Sequence, residues 1–229
     1  MKMSLSTQRE RGLTLVELLV VMVIIAVFAA MIIPANTPNK ARAYRIQCVN
    51  NLKQISVGDR LWIGNNKFPM AVSTNNGGSM EFVTGGNSFR HFLAASNEFQ
   101  TPKLLFCPAE TDYTRIQATT FSPTPKPGEV SFTSNSNLSY FVGIDAGEDN
   151  PNSLLCGDRN ITNCTAIKNG ILEVSSNWPA GWTAEMHNKV GNILLADGSV
   201  QQLSGAGLRT AIGNTSIATN RLQMPVLGP

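Results

Sequence analysis

The chain is poor in charge and poor in the short signatures of catalysis. Only 14% of its 229 residues are Asp, Glu, Lys or Arg, and the net charge is +3. With no basic run interleaved with aromatics, composition gives no electrostatic case for nucleic-acid binding. No G-x-S-x-G, H-E-x-x-H or P-loop sequence occurs. The common hydrolase, zinc-protease and nucleotide-binding readings therefore have no starting point. No C-x-x-C pair occurs either, which removes the usual spacing of a structural zinc site. There is no internal repeat.

What is present is one long apolar run, from Gly12 to Pro34. Between Leu18 and Ile33 no side chain is charged or polar. At ~1.5 Å per helical residue, about twenty residues cover the ~30 Å hydrocarbon core of a bilayer. A soluble core helix shows one apolar stripe, whereas this segment is apolar all round and suits lipid or other helices like it. Glu17 breaks the run. An acid at the centre of a span costs roughly 2.5–3.5 kcal/mol, and less near the interface. The segment itself supplies it no partner, and the nearest cations, Arg9 and Arg11, lie upstream. A cut after Gly12 would give Leu13 a free amine one turn from Glu17, for pairing within one chain or between neighbouring helices. Lys2, Arg9 and Arg11, opposed only by Glu10, hold the N-terminus in the cytoplasm while the bulk of the chain crosses. A secretory signal cut near Ala29-Ala30 and a plain single-pass anchor are the alternatives. Neither explains Glu17, or a glycine placed before the apolar run.

Arg9-Glu-Arg11-Gly12 followed by Leu13-Thr-Leu-Val-Glu17-Leu-Leu-Val-Val resembles the class III signal of type IV pilins and type II secretion pseudopilins. The resemblance implies cleavage after Gly12 by a prepilin peptidase and methylation of Leu13. It gives Glu17 the assembly acid's position and Pro34 the helix-kinking position. The family usually has Phe where this chain has Leu13. Two further matches are similar to prepilin-like proteins of planctomycete and verrucomicrobial bacteria. These are Cys48-Val-Asn-Asn-Leu-Lys-Gln-Ile55, and His187 followed after nine residues by Asp197-Gly198. Cys107-Pro108 and Gly157-Asp158-Arg159-Asn160 flank that resemblance.

Beyond Pro34 the composition turns to Asn, Ser, Thr and Gly, which suits an exported, loop-rich domain. Ala41, Tyr44, Cys48, Leu52 and Ile55 recur at steps of three and four and predict an amphipathic helix, its end marked by Gly58 and Gly64-Asn65-Asn66. Four cysteines in an oxidising compartment allow two disulfides. Cys156–Cys164 would close a short loop and Cys48–Cys107 would staple the helix to the globular part, the alternative being free buried thiols. Ser88 is placed to cap a short helix, and Leu104-Leu-Phe-Cys107 reads as a buried strand. Residues 109–135, with Pro123, Pro125 and Pro127, read as an exposed excursion. Leu138–Ile144, Ser153–Cys156 and Ile171–Val174 are strand candidates. Val190–Ala196 and Ser199–Leu203 around Asp197-Gly198 form the clearest hairpin signal. Ser204 caps a helix near Leu208–Ile212, and the end of the chain looks irregular.

Candidate sites are few. His187 and Asp197, with Glu185 or Asp158, could form a metal site or a general-base pair. The structural alternative has Asp197 making the turn and His187 bonding backbone near the hairpin base. Asp145-Ala-Gly-Glu148-Asp149-Asn150 is an acidic loop of the kind that offers calcium oxygen ligands. Calcium is the one cofactor this loop suggests. Trp178 and Trp182 could stack on a sugar.

The reading is an α+β, pilin-like chain. Residues 1–12 form a leader and 13–34 a transmembrane assembly helix. Residues 35–64 form the helix's amphipathic half, and 65–229 a periplasmic β-rich domain. The implied role is structural rather than enzymatic: a pilus or pseudopilus subunit of the bacterial inner membrane that assembles into filaments. Its implied partners are its own copies, other pseudopilins, the prepilin peptidase and an inner-membrane platform. The competing reading is a membrane-anchored periplasmic binding module or enzyme using the His187/Asp197 region.

Overall fold

The computed structural model describes residue 12 and residues 14–32, 38–63, 67–177 and 179–227. The rest of the leader, Leu13, Ile33, Pro34, residues 64–66, Trp178 and Pro229 lie outside them. The chain divides into two compact units, residues 1–40 and 41–229.

Helix α1 runs Leu15–Ile32. Its large apolar residues are exposed on every side, from Leu15 at 78% to Val21 at 48%. Eighteen residues make about 27 Å of helix, slightly short of a hydrocarbon core. Among the described residues no helix is long and apolar enough to cross a membrane. Both ends of the expected 13–34 span fall outside them.

Helix α2 runs Pro38–Trp62, opening on a proline whose missing N–H costs nothing in a first turn. Cys48, Leu52 and Ile55 are buried at helical spacing, joined by Asn51, Ser56 and Asp59. Ala41 and Tyr44, read onto that stripe, are exposed. Gly58 does not end the helix. It lies inside it, where a Cβ would stand 2.3 Å from the Phe99 ring, so glycine lets that ring pack on the backbone.

The domain's framework is a six-stranded antiparallel sheet. Its strands are β1 (Tyr140–Gly143), β2 (Leu154–Asp158), β4 (Ile171–Val174), β6 (Val190–Leu195), β7 (Val200–Ser204) and β8 (Asn220–Gln223), in the order β4-β8-β1-β2-β6-β7. Two short strands, β3 (Ile161–Thr162) and β5 (Gly181–Trp182), form a separate ribbon. Side chains alternate across the sheet. Tyr140, Val142 and Leu194 join the cluster of α2 and α3 (Phe89–Ala94), while Phe141, Ile193 and Leu195 join that of α4 (Gly205–Asn214). The β2–β6 register shifts between Leu154 and Cys156, and this bulge turns both Leu155 and Cys156 to the α2 side. With both faces covered, β1 and β2 are buried throughout and carry no polar alternation.

Several expectations need correcting. Leu104–Cys107 is not a strand: Pro102–Leu105 is a 3-10 turn, opened by Pro102 and capped by Thr101. Ser88 does not cap α3. Its hydroxyl goes to Asn135 Oδ1, which itself accepts from Phe89 N at 3.1 Å. Residues 109–135 are irregular but not wholly exposed, since Ala118 and Phe132 are core residues and Arg115 is buried. The chain's end is not all irregular, because β8 lies between β4 and β1. Ser204 caps α4 by accepting from Gly207 N.

Candidate functional site

The start of α1 carries its one acid and its cap together. Glu17 Oε2 accepts from Thr14 N and Thr14 Oγ1, both at 2.8 Å, and Glu17 N donates to Thr14 Oγ1 at 3.3 Å. This is a reciprocal capping box, in which Thr14 satisfies one orphan amide of the first turn and Glu17 another. The segment therefore does supply Glu17 a partner. The T-x-x-E spacing is the sequence signal that identifies it. Leu13, the other half of the expected processing site, is outside the described residues, and Gly12 is exposed.

The second constellation lies in residues 41–229. Cys48 of α2 and Cys107, just after the 3-10 turn, form a disulfide with Cα atoms 5.5 Å apart. His187 sits against it, its Nε2 3.4 Å from Cys107 Sγ and 3.5 Å from Asp158 Oδ2. Asp158, at the end of β2, accepts through Oδ2 from Asn192 N at 2.7 Å and Asn192 Nδ2 at 2.8 Å. Burial pushes the Asp158 carboxyl up to about 7, against the Asn192 bonds. Burial, with the Arg45 charge, pulls His187 down to about 4. Both groups are driven towards their neutral forms.

The next residues of the same stretch build the surround. Arg159 pairs with Glu110 and, at 2.7 Å, with Glu185. Burial works to raise the Glu110 pKa, but Arg159 outweighs it and holds the carboxylate below its usual range. Asn160 Nδ2 reaches the carbonyls of Thr183, Glu185 and Val190. That one amide pins a loop in which Met186, Asn188 and Lys189 have φ of +59°, +54° and +64°. Left-handed backbone at non-glycine residues costs on the order of 1 kcal/mol each, so the loop is held in place to keep His187 buried.

His187 and Asp197 do not meet. They stand beyond opposite ends of β6, six residues or about 20 Å of extended chain, and form neither a metal pair nor a general-base pair. Instead each end of β6 is fastened to α2. Arg45 Nη2 donates to the His187 carbonyl at 3.2 Å. Arg60 donates to the carbonyls of Ala196 and Asp197. Asp197 Oδ1 accepts from Ser199 N, and Gly198 takes a φ of +86° where a Cβ would also stand 2.8 Å from Ser56 Oγ. The nine-residue interval between His and Asp-Gly is thus one strand plus its two anchors.

The remaining candidates separate. Cys156 is a buried free thiol inside β2, and Cys164 is a free thiol exposed after β3, so the expected Cys156–Cys164 bridge does not form. The sheet core holds one sulfur while the β3 turn carries the other outside. Burial raises the Cys156 thiol well above its usual range, with the Asp59 charge adding to it. In the acidic loop, Asp145 is claimed by Arg221, whose backbone N and Nε donate to it at 2.7 and 3.0 Å. Glu148 and Asp149 are exposed. Among the described residues the one group of three or more converging ligands is Cys48, Cys107, Asp158 and His187. Trp182 is buried against Gly191 and offers no stacking platform.

Comparison with known proteins gives two partial matches. Residues 7–33 match a family model described as the prokaryotic N-terminal methylation motif. Over 65 residues the chain is 37% identical to the type II secretion system core protein G of Pectobacterium carotovorum subsp. carotovorum, covering 28% of this chain and 42% of that relative. No solved structure matches.

Proposed function

We propose that this chain, carrying a prokaryotic methylation motif at residues 7–33, is a structural subunit of a type IV pilus or type II secretion pseudopilus. A prepilin peptidase cuts it after Gly12 and Leu13 is methylated. Before assembly it waits in the bacterial inner membrane, with residues 41–229 in the periplasm. It then packs α1 beside the α1 of its own copies and of other pseudopilins on an inner-membrane platform. The observation that carries this reading is α1 itself: apolar residues exposed all round, and one acid at its start. Water is a poor surround for such a helix, and a bundle of similar helices covers it.

Glu17 supplies the specificity. A carboxylate offers about four lone-pair sites, and the Thr14 bonds use two. The remainder suits the Leu13 ammonium of a neighbouring copy, a charge pair made only in the bundle. Replacing Glu17 with Val keeps membrane insertion and removes that pair. We expect sheared filaments to lose the variant by at least ~10-fold relative to wild type, at equal membrane abundance. Equal recovery of both in the filament fraction would contradict the role given to Glu17.

A further inference from the structure

We propose that when the Cys48–Cys107 disulfide is reduced, the chain holds one zinc ion between the two thiolates, His187 Nε2 and a carboxylate oxygen of Asp158. The inference is independent of filament assembly and rests on the buried cluster alone. One ligand atom from each of the four residues lies within 4.8 Å of all the others, and all four residues are buried. Around a tetrahedral zinc, with bonds of about 2.0–2.3 Å, ligand atoms stand roughly 3.3–3.8 Å apart. His187 Nε2 already stands 3.4 Å from Cys107 Sγ and 3.5 Å from Asp158 Oδ2. The two bonded sulfurs must part, to about 3.8 Å.

The donor set is thiophilic and borderline, which favours zinc over calcium or magnesium. Its surroundings are prepared for a cation. Asp158 Oδ1 is buried with no hydrogen-bond partner, an expensive arrangement unless something else meets it. Asn192 orients the same carboxylate through two bonds to Oδ2, the oxygen nearer His187, as an outer-shell partner does for a metal ligand. Two thiolates and one carboxylate around Zn²⁺ leave one net negative charge, which Arg45 on α2 opposes. The ligands come from α2, the segment after the 3-10 turn, β2 and the loop before β6, so zinc would join the same elements that the disulfide joins.

The chemistry balances. A phosphine reductant breaks the S–S bond and becomes its phosphine oxide. Water supplies the oxide oxygen and the two thiol protons, and those protons leave as zinc binds. Disulfide formation and zinc binding thus compete for the same two sulfurs.

Cobalt is the spectroscopic probe. The full chain in detergent is reduced anaerobically with a phosphine and titrated with Co²⁺, with folding followed by near-ultraviolet circular dichroism. The expected result is one equivalent bound, with a thiolate-to-cobalt charge-transfer band and the visible bands of a tetrahedral site. Zinc should displace it, and the oxidised chain should show neither band. Asp158→Asn, which keeps an acceptor for Asn192, and His187→Gln should each weaken binding by at least ~100-fold. Cys156→Ser and Cys164→Ser should leave it unchanged. If the reduced chain loses its fold, added cobalt should restore it. A reduced, folded chain without the charge-transfer band would overturn the proposal. So would a reduced, unfolded chain that cobalt fails to rescue, or a band that persists in the Cys48→Ser/Cys107→Ser variant.

Discussion

Helix α1 and helix α2 follow one another in the chain but solve opposite problems. α1 exposes large apolar residues on all sides. α2 buries a single stripe, from Cys48 through Leu52 and Ile55 to Asp59, and leaves Lys53 and Gln54 in solvent. α2 is finished by its own domain. It is stapled by the disulfide, and Arg45 and Arg60 hold the two ends of β6. Within its own unit, among the described residues, α1 makes the side-chain cap between Thr14 and Glu17. The contrast teaches that folding buries the apolar stripe of residues 41–229 but not that of residues 14–32, whose burial the proposed function leaves to association.

The largest test of that division is to separate the parts. Residues 38–229, made without α1, should be monomeric and folded without detergent, whereas the full chain should require detergent or lipid. Size-exclusion chromatography with light scattering checks this, and aggregation of the shortened chain would break the comparison. Next in size is Cys48→Ser. Opening a loop of 59 residues should cost about 4 kcal/mol by chain entropy, read as a lower urea midpoint for the 38–229 chain. The α1-driven membrane fractionation of the full chain should not change.

A smaller effect concerns Asp59, on the buried face of α2. Burial raises its carboxyl from 3.8 to about 8. The folded chain therefore keeps a proton that the unfolded chain releases above pH ~4, and the associated stability is lost as pH rises through about 8. Asp158, raised to about 7, acts in the same direction. His91 and His187, both lowered to about 4, act oppositely and cost stability as pH falls below ~6.5. The uncompensated decline thus falls between pH ~6.5 and 8 and should amount to a few kcal/mol at most. Urea titrations across that range should show it in the 38–229 chain, and Asp59→Asn should flatten it. A variant with the unaltered slope would contradict the assignment.

Much of the architecture is legible in the order of the residues alone. α1 follows from an uninterrupted apolar run, most of the α2 stripe from helical spacing, and β6–β7 from Asp197-Gly198 between two apolar segments. The T-x-x-E cap is equally readable, although the surrounding apolar residues draw attention away from it. Other features depend on tertiary context. Asn220-Arg-Leu-Gln223 has no strand-like run of apolar residues, and β8 is recognisable only because β4 and β1 lie on either side of it. Leu104–Cys107 has strand composition, but Pro102 and the Thr101 cap set a tight turn first. Short spacing makes Cys156 and Cys164 look like partners, and β2 then buries one of them in the core. The cluster of Cys48, Cys107, Asp158 and His187 gathers residues from four distant parts of the chain, so no local spacing announces it.

The central claim, that α1 is a processed assembly segment rather than a permanent anchor, is tested most directly by intact-mass and N-terminal mass spectrometry of the protein from its native membrane. The account predicts a chain that begins at Leu13 and carries one methyl group on its amine. A native chain beginning at Met1, unmethylated, would contradict it.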